Sequence, residues 1–270
     1  MIICSIVLYN NKADMIRPLL NHLLNCTLIT KLYLIDNSPT NALQALATPT
    51  KVEYIFNNAN LGYGAGHNIA LKQALTKSRY HLVLNPDIAF ENGTIETLCQ
   101  YMEDNPSVGL VMPKVTYPNG SLQYTCKLLP TPFDLIFRRF LPASFTKKRM
   151  YRFEMRQTGY DKIMEVPYLS GCFMFLRVDA LKKAGLFDER FFMYPEDIDL
   201  TRRIYVHYKT MYYPYAQITH VHERASYKSM RLLLVHIFNM VKYFNKWGWF
   251  IDKERVRINK KIVTQFSNNG

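Results

Sequence analysis

The chain has no cysteine pair at short spacing: its five cysteines stand at 4, 26, 99, 126 and 172. That scatter excludes a zinc cluster and a disulfide framework, and it suits a reducing compartment. No apolar run approaches the roughly 18 to 20 residues that cross a bilayer, and no basic segment precedes the first apolar stretch. A cytoplasmic protein without a leader is therefore expected. Acidic residues are few beside basic ones, 21 against 34, giving a formal charge of +13. The excess is local: Arg138 to Arg156 holds one basic group and Lys228 to Lys261 another. Such surfaces attract nucleic acid, anionic lipid or phosphorylated small molecules, and charge alone does not choose among them. Repeats and low-complexity tracts are also missing, and 270 residues suit one large core or a core with an appendage.

What is present begins with short apolar runs. Ile2–Tyr9, Lys31–Ile35, Val52–Phe56 and Tyr80–Leu84 read as strands, with a helix over Met15–Leu24 and another over Ile69–Thr76. Between the third strand and the second helix, residues 57–68 read as a polar, glycine-rich loop. Further helices are predicted over 91–103, Ala180–Ala184, Asp199–Tyr208 and Met230–Phe244, and strands over Val108–Met112, Val166–Arg177 and Tyr212–His220. Residues 118–165 look irregular, basic and mobile. This alternation argues for an α/β layer with a mostly parallel sheet, where ligands bind beyond the carboxyl ends of the strands. Asn10, Asp36, Asn37 and Asp87 all follow strands and would gather on that edge.

Four features carry chemistry. Glu196, Asp197 and Asp199 follow an aromatic run, where apolar walls would raise a carboxylate's pKa toward that of a general base. The same cluster also reads as the acidic start of a helix. Asn85-Pro86-Asp87 ends a strand and either forms a turn or offers one carboxylate to a cation that bridges phosphates. Gly62, Gly64 and Gly66 permit close approach to a phosphate or simply tight packing, but His67 stands where a dinucleotide fingerprint needs glycine. His220 and His222, two apart on a strand, share a face.

Taken in order, Ser5-Ile6-Val7-Leu8-Tyr9-Asn10-Asn11, Asp36-Asn37-Ser38, Asn60 to Asn68, Leu84-Asn85-Pro86-Asp87, Gly171-Cys172-Phe173, Gly185 to Leu200 and His220 resemble the family 2 glycosyltransferases. The similarity is greatest to their rhamnosyltransferase-like branch of bacterial surface-polysaccharide synthesis and spans Ile3 to Trp249. It implies a GT-A fold, a Rossmann-like mixed sheet flanked by helices, and inverting transfer from a nucleotide-diphosphate sugar, dTDP-rhamnose or a UDP-hexose, to a saccharide acceptor that is lipid-linked. On this resemblance Asp197 is the base, with Glu196 as the second claimant, supported by Asp199 and Arg203. Tyr9, Asn10, Asp36, Asn37, Asn60, Gly62, Gly64, Asn68, Asn85 and His222 line the substrates. Asp87 and His220 hold Mg²⁺ or Mn²⁺, although Asn85 replaces the first acid of the familiar D-x-D pattern.

Residues 1–225 would then form the catalytic domain, with 1–110 for the nucleotide sugar and 111–225 for the acceptor, and 226–270 a helical basic and aromatic extension. In that extension Trp247, Trp249 and Phe250 among lysines read as a segment for the anionic inner face of the plasma membrane, as packing onto the core, or as a homodimer surface. The competing readings are a sugar-phosphate nucleotidyltransferase, whose basic glycine-rich signature is missing from Val7–Lys12, and a nucleic-acid-binding protein. The resemblance leaves nucleic acid without a role.

Overall fold

The computed structural model describes residues 1–48, 50–136, 141–221 and 230–267, the side chains at 143, 231 and 267 aside. Strands β1 (Ile2–Leu8), β2 (Ile29–Asp36), β3 (Val52–Phe56) and β4 (Tyr80–Leu84) form where the apolar runs predicted them. They are mutually parallel in the order β3-β2-β1-β4. The sheet continues through β10 (Phe173–Arg177), β6 (Val108–Thr116), β11 (Lys209–His220) and β5 (Ile88–Phe90), with β8 (Met164–Glu165) also on β11. β10, β5 and β8 run against their neighbours, so the sheet is mixed and mostly parallel. A separate ribbon pairs β7 (Cys126–Lys127) with β9 (Tyr168–Leu169).

β1 shows why both faces are covered. Ile2, Cys4, Ile6 and Leu8 share a core cluster with Ile16, Leu19, Leu20 and Leu23 of α1 (Ala13–Asn25). The alternate face, Ile3 and Val7, packs with Ala70 and Ala74 of α2 (Tyr63–Lys77). A two-residue side-chain period on a strand buried on both sides produces this division. Also on the α2 face, the Ser5 hydroxyl bridges two buried imidazoles, His67 Nδ1 at 2.7 Å and His81 Nε2 at 2.8 Å.

Three expectations need correction. α2 begins at Tyr63 rather than Ile69, so Gly64, Gly66, His67 and Asn68 are helical. Glycine and asparagine are poor helix formers, yet packing requires them here. A Cβ on Gly64 would stand 2.9 Å from Phe187 Cβ, and one on Gly66 2.8 Å from Val7 Cγ2. The strand predicted over 166–177 is broken, with only β9 and β10 regular. The described part of 118–165 is packed: it contains α4 (Pro132–Leu135) and α5 (Ala143–Phe153) and buries Leu129, Phe153, Met155 and Tyr160.

The remaining helices are α3 (Thr94–Asp104), α6 (Val178–Ala184), α7 (Glu196–Tyr205), α8 (Met230–Trp247) and α9 (Lys253–Ser267). Met240, Tyr243 and Phe244 of α8 and Ile258 and Ile262 of α9 join the main core cluster. Arg202 of α7 pairs with Asp252 at 2.7 Å, both nearly sealed from solvent. Removing either partner would strand a buried charge, so this pair fixes the last two helices to α7. Among the described residues no helix is long and apolar enough to cross a membrane.

Candidate active site

The chain leaves β1 toward β2 on one side and returns as β4 on the other, which opens a crevice beyond the carboxyl ends of these strands. A cleft of about 1030 Å³ occupies it. Tyr9 and Asn10 after β1, Asn37 after β2, and Asn85 and Asp87 after β4 line this cleft, with Asn60, Gly62 and Tyr63 from the start of α2 and His220 from the end of β11. Eight of the residues singled out from the sequence therefore meet in one place: Tyr9, Asn10, Asn37, Asn60, Gly62, Asn85, Asp87 and His220.

Asp36 does not open on the cleft. It is 0% exposed, and its two oxygens accept from the Ser38 amide at 2.8 Å and the Tyr54 hydroxyl at 2.6 Å. Its role is to order the turn that presents Asn37. The Asn37 amide in turn donates to Gly62 O at 3.1 Å and accepts from Asn57 at 2.8 Å.

The Asp87 carboxylate lies 3.4 Å from His220 Nε2, and Asn85 Nδ2 lies 3.2 Å from the same nitrogen. Gln123 Oε1 meets His220 Nδ1 at 3.1 Å, a contact the sequence reading missed because Gln123 is 97 residues away. Burial would lower the His220 pKa, but hydrogen bonding to Asp87 and then Cys172 outweighs it and holds the imidazole up at about 10. With its proton, His220 is a cation facing the place of a diphosphate; a Mg²⁺ or Mn²⁺ ion would be held mainly by Asp87, completing its shell with phosphate and water, and would have to displace the His220 proton before the imidazole could join it. Among the described residues no group of three or more His, Cys, Asp or Glu side chains forms a fuller cage.

Glu196 and Asp197 start α7, three residues earlier than predicted, so the acidic helix start and the buried carboxylates are one feature. Burial dominates the favourable helix end. It pushes Asp197 up to about 6, against the Gly171 amide and the Lys127 charge, which pull it down. Glu196 is pushed up further, by burial and then by the Asp197 charge, and its Oε2 has no hydrogen-bond partner. Asp197 Oδ2 accepts from Gly171 N at 2.8 Å, and the Tyr63 hydroxyl donates to Gly171 O at 2.6 Å. Neither acid lines the cleft; Tyr63, which does, and Asp197 meet at Gly171. A Cβ built on Gly171 would lie 3.4 Å from Asp197 Oδ2 and 3.5 Å from Tyr63 Cε1. Tyr63 was missed in the sequence, where it is marked only as the one large side chain inside Gly62-Tyr63-Gly64.

Other predicted site residues serve the scaffold. Asn68 exchanges hydrogen bonds with the Phe187 backbone at 2.9 and 3.0 Å, and Gly64 packs under Phe187. Asp199 is 0% exposed and accepts from Arg203 at 2.8 Å, Trp247 Nε1 at 2.8 Å and Lys246 at 2.6 Å. Asn68, Gly64, Asp199 and Arg203 thus hold the loop before α7 and do not reach the cleft. Trp247 and Trp249 are half-buried, the first on Asp199, the second against Phe244 and donating to Asn245 at 2.8 Å. They pack and do not face outward. His222 lies outside the described residues.

The glycosyl transferase family 2 model matches residues 4–185, which supply the cleft lining except Met193, His220 and Val221. The chain belongs to this family. It is 28% identical over 201 residues to N-acetylglucosaminyl-diphospho-decaprenol L-rhamnosyltransferase of Mycobacterium tuberculosis, covering 68% of this chain and 62% of that protein. The chain therefore spans less than two thirds of that relative's length. The rhamnosyltransferase WbbL of Escherichia coli is 26% identical over 74% of this chain and 75% of its own. The fold is GT-A. GalNAc-T7, solved with UDP, GalNAc and Mn²⁺, superposes with a TM-score of 0.62 at 14% identity, over 82% of this chain and 43% of that one. Staphylococcus aureus TarS does so with 0.60 at 16% identity, over 99% and 43%.

Proposed function

We propose that this family member transfers a sugar from a nucleotide diphosphate to a saccharide hydroxyl with inversion, in the synthesis of a surface polysaccharide. The observation that carries the reading is a single cleft holding Asp87 and His220, whose lining residue Tyr63 meets through Gly171 a buried carboxylate of raised pKa, Asp197. A nucleoside would lie among Tyr9, Asn10, Asn37 and Asn60, and its diphosphate beside Asn85, Asp87 and His220. A Mg²⁺ or Mn²⁺ ion held mainly by Asp87 would supply Lewis-acid neutralisation of the diphosphate.

Asp197 takes the proton of the acceptor hydroxyl as that oxygen attacks the anomeric carbon opposite the departing diphosphate. A base with a pKa of about 6 is mostly ionised at neutral pH and still basic enough to accept a proton. Burial and then the Asp197 charge raise Glu196 well above the ordinary carboxylate value, so the two neighbouring acids disfavour being ionised together. The Gly171 amide aims Asp197, and an acceptor hydroxyl reaching it passes the Tyr63 ring. Residues 1–110 would serve the donor and 111–225 the acceptor, with 226–270 bracing α7. The named rhamnosyltransferases favour dTDP-rhamnose over a UDP-hexose, and the decaprenol-linked substrate of the mycobacterial relative favours a lipid-linked acceptor.

A panel of nucleotide sugars with Mg²⁺ or Mn²⁺, read by thermal stabilisation, tests this. A donor at 100 times its dissociation constant adds about 2.7 kcal/mol, and Asp87→Ala abolishes that gain. If no donor stabilises the folded protein or turns over, the reading is lost.

A further inference from the structure

A second cleft, of about 820 Å³, lies between α5 and α9, away from the candidate active site. Its floor includes Leu128, Leu129 and Phe153, and Phe145 and Phe250 stand at its rim. Phe145 is 78% exposed, Phe250 80% and the adjacent Ile251 83%, a cost in water that the monomer leaves unrelieved. Lys148, Arg152 and Lys260 line the same cleft, are exposed, and have no carboxylate partner among the described residues. The acid lining it, Asp134, is buried and neutralised by Arg149 through contacts of 2.6 and 3.1 Å. The surface is therefore cationic with protruding apolar side chains. It shares no lining residue with the cleft of Asp87.

We infer that this face docks on an anionic lipid bilayer, with Phe145, Phe250 and Ile251 entering the headgroup boundary and Lys148, Arg152 and Lys260 meeting lipid phosphates. Rings and aliphatic groups flanked by cations partition to that boundary, and each lysine or arginine strengthens binding about fivefold. This location differs from the one the sequence suggested, because Trp247 and Trp249 are turned into the protein while Phe250 and Ile251 form the exposed turn between α8 and α9. The docking does not rest on the transferase reading.

Co-sedimentation with phosphatidylcholine vesicles, with and without phosphatidylglycerol, tests it on the full chain. The protein should bind the anionic vesicles alone, and salt should weaken the binding. Charge reversal at all three cations, K148E/R152E/K260E, should cost more than about a hundredfold, and F145S/F250S should weaken binding at unchanged charge. Both variants should keep the wild-type melting temperature and nucleotide binding. Equal binding by the charge-reversed protein would overturn the inference, as would no binding by the wild type or tighter binding of single-stranded RNA. Vesicle binding without sugar transfer would keep this inference and remove the transferase.

Discussion

Replacing Asp197 by Asn should make the protein more stable and far less active, with the stability change depending on pH in a calculable way. In the folded chain the carboxyl titrates near 6, against an ordinary 3.8. The folded state thus binds that proton more tightly than the unfolded state does. Its stabilising contribution is complete below the unfolded value and is lost as pH rises through 6. About two units at 1.36 kcal/mol each make roughly 3 kcal/mol that the wild type forfeits under alkaline conditions. Asparagine carries no charge to bury and keeps an acceptor for the Gly171 amide, but loses the extra strength of a charged acceptor, so a net gain of about 1–2 kcal/mol remains. Melting curves of both proteins should coincide well below the unfolded carboxyl value and separate through 6, by ~2–4 °C per kcal/mol for a chain of this size. Turnover should fall by about 10² to 10⁴, with nucleotide binding preserved. A variant that melts lower at alkaline pH, or a difference that ignores pH, would mean that Asp197 is held ionised by its partners, and the argument for a tuned base would fail.

Tyr63→Phe removes the hydroxyl that holds the Gly171 carbonyl; a bond worth about 0.5–1.5 kcal/mol should lower turnover by about 2- to 12-fold, while the nucleotide dissociation constant, measured by calorimetry, stays within a factor of two or so because that hydroxyl is bonded to Gly171. Asp199→Ala leaves Arg203 without its carboxylate and Lys246 with Asp188, and should lower the urea-unfolding free energy by ~1–3 kcal/mol; no loss would show that solvent already screens the cluster. Gly62→Ala places a methyl group 2.3 Å from the Phe192 carbonyl oxygen at a φ of +88°, so the loop must move; soluble protein with unchanged nucleotide binding would contradict the packing described for this entrance.

The strands and the cleft they surround were legible because a fully buried strand leaves an uninterrupted apolar run, and the polar residue that ends it sits at the ligand edge. Asn10, Asn37 and Asp87 follow from that rule alone, which also picks the buried Asp36; Tyr9 and Asn85 come from the family resemblance. The start of α2 was illegible for a physical reason: Gly64 and Gly66 are chosen for contact with Phe187 and Val7, and this tertiary demand overrides helix propensity. Asp36, Asn68 and Asp199 show a second limit. Their chemistry suits a substrate, but their actual partners are Tyr54, the Phe187 backbone and Trp247, which lie 18, 119 and 48 residues away. Position in the chain cannot distinguish a side chain that waits for a ligand from one already satisfied inside. The relatives at 24–28% identity identify the family without making that distinction either.

The anchoring of Asp199 by Lys246 and Trp247 has a practical corollary for anyone recombining such enzymes. A chimera that borrows the segment around α7 from one parent and finishes with the other's tail would import a carboxylate that keeps Arg203 but loses Lys246 and Trp247. Crossovers for exchanging specificity should therefore fall before β10 and carry α8 along, so that Asp199, Lys246 and Trp247 come from a single parent.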